Sequence, residues 1–173
     1  MRFEGRVYFD FASADTWHFY RLLAAAAGQG VDLALSWVPY LERDEAARLH
    51  ALAAFAAVSS ADPARHGAFL QSMLELHHRE GAPLGVESSL AAARAAEVAP
   101  DVVATAWQHE APVRAATAQA LALGVTASPT LYRHGPVMHV RVNPAALTGD
   151  VVGRLGLIDA VLGDDGIWAM VKP

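Results

Sequence analysis

The chain has 173 residues, 54% of them hydrophobic and 18% charged, which is enough apolar material for one compact domain that folds on its own. Its net charge of -5, with 13 scattered Lys and Arg, argues against a nucleic-acid partner, whose phosphates demand clustered cations. There is no cysteine, so thiol–disulfide exchange and Cys-ligated metals are excluded, and any chemistry must use hydroxyls, carboxylates, imidazoles or a borrowed thiol.

From the N-terminus, Val7, Phe9 and Phe11 alternate with Tyr8 and Asp10, predicting a strand over 6–11. No apolar run with a small-residue cleavage site precedes it, and we expect a cytoplasmic protein. A helix follows over 14–27, stopped by Gly28 and Gly30. Leu33, Leu35 and Trp37 then alternate with smaller or polar residues in a second strand over 31–38, with Pro39 at its end.

From 43 to 110 the pattern is helical only. His66, Phe69, Leu70, Met73, Leu74 and His77 form one stripe, and further helices are expected over 45–58, 87–98 and 102–110, bounded by Pro63, Pro83 and Pro100. Another helix is expected over 113–123, then a strand over 124–132, a turn over 133–136, a hairpin partner over 137–142 and a closing helix over 147–162. A short apolar tail at 167–171, around Trp168, is the expected contact of a homodimer. Apolar runs are interrupted well before the roughly 18 to 20 residues a membrane helix needs, so no membrane partner is expected.

Two segments about a hundred residues apart share one pattern. The first strand meets its helix at Ser13-Ala14-Asp15-Thr16 followed by Trp17, and Gly124-Val-Thr-Ala-Ser-Pro-Thr130 enters a late strand. Together with the helical stretch between them, these resemble the DsbA-like branch of the thioredoxin superfamily, which includes 2-hydroxychromene-2-carboxylate isomerases and kappa-class glutathione transferases. The resemblance covers nearly the whole chain. It implies an α/β thioredoxin-like fold of about four strands, a single domain over 1–173 with a helical insertion over 43–110, and a cleft between the insertion and the Ser13–Pro129 corner.

It also implies roles. Ser13 falls on the catalytic serine of the isomerase and kappa-class members, Ala14 on their proline, Asp15 on a tyrosine or histidine, Thr16 on the second cysteine or serine, and Trp17 on the aromatic that follows. Pro129 falls on the superfamily's cis-proline. Ser128 before it would offer its backbone to a bound thiol, with Thr130 and Trp17 as further contacts. The implied cosubstrate is glutathione or another low-molecular-weight thiol, and the implied partner a small organic substrate. Relatives that use glutathione carry a Gly-x-Asp-Arg type segment after the last hairpin, where this chain reads Arg141-Val-Asn-Pro-Ala-Ala-Leu147.

Ser13 has two readings. At the start of a helix its hydroxyl could stabilise a bound thiolate, aided by the partial positive charge of the helix end. It could equally serve only as an N-cap, worth about 1 kcal/mol, with Asp15 adding a favourable first-turn charge. An ionised Asp15 facing a sulfur anion would oppose it, and a buried, protonated Asp15 could act as an acid or base. His18, one turn on, is a candidate proton-transfer residue. No metal is expected, since no histidine pair has His-Glu-x-x-His spacing and His77 and His78 point about 100° apart on a helix. The two functional classes left open are a serine-type, thiol-dependent isomerase or transferase, and a catalytically silent domain that binds a peptide or small molecule or acts as a scaffold.

Overall fold

The computed structural model describes residues 1–135 and 137–164. The apolar tail with Trp168 and Pro136 of the hairpin turn lie outside the described residues. The architecture is α/β: a four-stranded sheet in the order β2-β1-β3-β4, formed by β1 (Arg2–Phe9), β2 (Asp32–Pro39), β3 (Thr130–Tyr132) and β4 (Met138–His139). β1 and β2 are parallel from Arg2↔Asp32 to Phe9↔Pro39 and are joined through α1 (Ala14–Ala27), while β1–β3 and β3–β4 are antiparallel.

β1 begins four residues earlier than its alternation suggested and stops before Phe11. Gly5 hid the early part: it interrupts the apolar alternation, yet its φ of +146° and the 3.0 Å between a hypothetical Cβ and the Tyr132 carbonyl require glycine where β3 crosses close. Phe11 is fully buried, as the alternation implied, but lies in the turn beyond the strand. The expected strand over 124–132 is reduced to three residues. Pro129 has no N–H for a ladder and Thr130 Oγ1 turns back to donate to the Ala127 carbonyl at 2.6 Å, so regular pairing starts only at Thr130.

Between β2 and β3 run α2 (Ala46–Ala61), α3 (His66–His78), α4 (Val86–Ala95), α5 (Pro100–Ala104), a 3-10 turn at Ala106–His109, and α6 (Glu110–Ala122). α2 is buried on nearly every face, with Leu49, Leu52, Phe55 and Val58 among Ala51, Ala53, Ala54 and Ala57, so it is the centre of the helical region with α3 to α6 packed around it. The helix expected over 102–110 is α5 plus the 3-10 turn. α6 starts three residues earlier than expected because Pro112 sits in its first turn, where a missing N–H has no intrahelical acceptor to lose. The closing helix divides into a 3-10 turn at Pro144–Leu147 and α7 (Val151–Leu162), which Asp150 caps by accepting the Gly153 amide at 2.8 Å.

Phe9 links the layers. Its ring meets Phe11 and Phe55 edge-on, both at 5.1 Å, and Trp37 at 5.5 Å, so one residue of β1 joins the first turn, β2 and α2.

Candidate functional site

The site is built where β1 ends. Asp10 is fully buried, and its carboxylate accepts the Ala12 amide at 2.8 Å through Oδ1 while its carbonyl accepts the Ser13 amide at 3.2 Å. This turn delivers Ser13 to the N-cap of α1, where its hydroxyl oxygen accepts the Thr16 amide at 3.3 Å. The same hydroxyl donates to the Ser128 carbonyl at 2.7 Å, across 115 positions of sequence, and the Ser128–Pro129 peptide bond is cis. Both hydrogen-bonding functions of Ser13 are therefore in use: it caps the helix and ties it to the loop before β3.

A second set of bonds backs this corner. Ser128 Oγ donates to Glu42 Oε2 at 3.1 Å, the Glu42 amide donates to Asp10 Oδ2 at 3.2 Å, and Arg48 Nη1 lies 3.5 Å from the same oxygen. Burial pushes the Asp10 carboxyl above the ordinary value, against the pull of the Ala12 amide and the Arg48 guanidinium. Asp10 and Glu42 were not foreseen as site residues. Asp10 had a readable signal, an aspartate two positions before a turn amide that it can accept. Glu42 had none, because only the β2–α2 loop geometry brings it to Ser128.

The other named residues divide. Asp15 pairs with Arg141 Nε at 3.2 Å and lies 3.9 Å from His139 Nε2, so its charge is partly offset from the β4 side. His139 donates from Nδ1 to the Pro129 carbonyl at 3.0 Å. Thr16 meets Ser13 through its backbone amide; its hydroxyl is buried and has no hydrogen-bond partner among the described residues. Thr130 braces the loop through Ala127 rather than facing Ser13. His18 is half-buried, and its charge acts on His78.

Trp17 lies one turn along α1 from Ser13 and opens a separate groove of about 660 Å³ between α1 and α3, lined by Trp17, Tyr20, Arg21, Gln71, Glu75 and His78 among others. Trp17 stacks on His78 at 5.9 Å and on Tyr20 at 6.3 Å, with the Arg21 guanidinium 5.6 Å from its ring. This groove borders the helical region, and residues 128–130 are not part of its lining.

His78 donates from Nε2 to the Phe11 carbonyl at 2.8 Å. Burial depresses its pKa from 6.5 to about 4, the carbonyl opposes that shift, and the neighbouring His77 and His18 add to it. A histidine whose folded pKa is depressed contributes stability above its unfolded pKa, and that contribution is lost as pH falls toward 4. We expect His78→Gln, which keeps a donor for Phe11 but cannot titrate, to reduce the drop in unfolding free energy between pH 7 and pH 4 by about 1 to 2 kcal/mol once solvent screening is allowed for. Urea titrations across that range check it, and identical slopes in the two proteins would show that His78 carries no proton linkage.

No protein-family model and no curated protein matches the chain. Solved structures do. Oxidoreductase DsbA from Xylella fastidiosa is similar at 21% identity and a TM-score of 0.65, with 92% of this chain and 83% of that one covered. The reduced disulfide bond oxidoreductase DsbG from Mycobacterium tuberculosis is similar at 21% identity and 0.63, covering 93% and 78%. The cytosolic disulfide reductase DsbM from Pseudomonas aeruginosa, solved with GSH, is similar at 15% identity and 0.63, covering 92% and 99%. The chain therefore has a DsbA-like thioredoxin fold, and its sequence contains no cysteine.

Proposed function

We propose that the Ser13–Pro129 corner receives the sulfur of a low-molecular-weight thiol, glutathione or a relative of it, and that the protein uses this cosubstrate to isomerise or conjugate a small, largely apolar organic molecule in the cytoplasm. The observation that carries the reading is the 2.7 Å bond from Ser13 Oγ to the Ser128 carbonyl, which brings a helix-start hydroxyl against the backbone before a cis-proline.

A bound thiolate would replace the Ser128 carbonyl as the acceptor of the Ser13 O–H. A neutral hydroxyl–carbonyl bond is worth about 0.5 to 1.5 kcal/mol net, and a bond to an ionised acceptor about twice that, so the exchange favours the anion. The first-turn amides of Ala14 and Asp15, which have no intrahelical acceptors, add to the same field. The Ser128 carbonyl released by the exchange is then free to accept an N–H from the cosubstrate's peptide. In the reaction the sulfur forms a bond to an electrophilic carbon and the electron pair moves onto the conjugated acceptor. In isomerisation the carbon–sulfur bond then breaks and the thiolate returns; in conjugation it is kept and the acceptor takes a proton. Ser13 positions and stabilises the sulfur throughout and attacks nothing. The Pseudomonas aeruginosa reductase, a protein of this fold, was solved with GSH, which supports the choice of thiol.

A second reading, a catalytically silent binding domain or scaffold, draws support from the state of the corner, where the Ser13 hydroxyl already donates to Ser128 and accepts from Thr16 N–H. Calorimetric titration with glutathione and other cellular thiols separates the two. We expect saturable binding by the wild type, weakened about tenfold or more in Ser13→Ala, equivalent to about 1.4 kcal/mol. Absence of saturable binding by every thiol tried would leave the silent domain standing.

A further inference from the structure

The long outer edge of the sheet is β2, eight residues from Asp32 to Pro39, whereas the opposite edge, β4, has two. In β2 the Asp32 amide donates to Met1 O at 3.0 Å, and the Tyr40 amide that follows the strand donates to Phe9 O at 2.8 Å. Backbone groups in a strand alternate sides, so the N–H and C=O groups of Leu33, Leu35 and Trp37 point away from β1. None of the three amides has a hydrogen-bond partner among the described residues. The edge also lacks the usual guards: from 33 to 38 it carries no charge and no proline.

We propose that this edge is a homodimer interface, in which β2 pairs antiparallel with β2 of a second copy about a twofold axis through Leu35. The register follows from parity. Placing Leu35 opposite Leu35 sets Leu33 opposite Trp37 and Trp37 opposite Leu33, so every outward N–H and C=O from 33 to 37 finds a partner, in three pairs that exchange two bonds each. The side chains agree with the backbone. Leu33, Leu35 and Trp37 share one face, are half-buried against the core, and would meet only one another across the axis.

On the other face Ala34 would stand opposite Ser36 of the second copy. Within one copy, Ala34 neighbours Glu4 and Ser36 neighbours Arg6 on β1, so the rows crossing the axis end in opposite charges, Glu4 of one copy and Arg6 of the other. A second copy therefore satisfies the edge from sequence already present, whereas a guest peptide would have to supply a matching strand. A strand pair alone buries less than a standard interface, so the dimer should dissociate on dilution.

The charge-pair test uses positions 34 and 36, which face each other across the axis. Sedimentation equilibrium of the wild type should show a monomer–dimer equilibrium. Ala34→Lys with Ser36→Lys sets like charges opposite one another and should weaken dimerisation at least tenfold. Ala34→Lys with Ser36→Glu sets opposite charges in the same places, with Lys beside Glu4 and Glu beside Arg6 in each copy, and should restore it, with circular dichroism confirming the fold of both. Independently of any variant, the amides of Leu33, Leu35 and Trp37 in the wild type should exchange more slowly as concentration rises. A wild type that is monomeric at every concentration up to millimolar, a dimer indifferent to the double-lysine change, or concentration-independent exchange at the three amides would each overturn the proposal.

Discussion

Asp10→Ala should lower the unfolding free energy by about 3 to 5 kcal/mol, the range for removing one partner of a buried ion pair and leaving its other partners unpaired. The carboxylate has no exposure and holds three groups from two parts of the chain: the Ala12 amide in the turn before α1, and the Glu42 amide and Arg48 guanidinium from the loop and helix after β2. Alanine would take their acceptor from both amides, whose bonds to the carboxylate are partly buried, and among the described residues leave Arg48 its exposed bond to Glu45. The effect should also reach the candidate site, because the Glu42 backbone is what places its carboxylate against Ser128 Oγ. Asp10→Asn should fall between the two, since its amide keeps one acceptor but presents a donor to groups that are themselves donors. Urea unfolding of the three proteins provides the measurement; a loss below about 1 kcal/mol for alanine would mean that water replaces the carboxylate and that the turn is not organised by it.

Phe9→Ala should be similarly severe, at about 3 to 5 kcal/mol, because its ring is fully buried and touches Phe11, Trp37 and Phe55, so truncation opens a cavity among three rigid rings that cannot all close in. Phe9→Leu should lose less than half as much, since most of the volume is kept. Thermal unfolding of both variants checks this. Near-equal losses would indicate that ring–ring geometry, rather than filled volume, is what Phe9 contributes.

The elements most legible in the sequence were those written locally. α1 begins at Ala14 and ends at Ala27 as its cap and glycines imply, because Ser13, Gly28 and the apolar stripe lie within one stretch of chain. β2 was readable within one residue at each end for the same reason. What failed locally was set by distant contacts. Gly5 looks like a strand breaker until β3 is placed against it, and the 124–132 strand looks continuous until Thr130 is seen turning back to Ala127.

The candidate site follows the same rule. Ser13, Ser128 and Pro129 could be put together only through the resemblance to known proteins, since nothing in residues 13–16 refers to position 128, and the hydrogen bond joins positions 115 apart in sequence. Glu42 was invisible because a glutamate in a loop carries no local mark of what it will touch. The orientation of Asp15 was open for a related reason: Arg141 and His139 arrive from the other end of the chain.

The seat of Ser13 at the head of α1, in a chain with no sulfhydryl of its own, makes the molecule a blank background for spectroscopy and labelling. A lone cysteine installed at position 13 would be the sole reactive thiol, so its alkylation rate as a function of acidity would report the electric potential at that helix terminus with no competing signal. The scaffold thus serves as its own voltmeter for the place where thiol chemistry would have to occur.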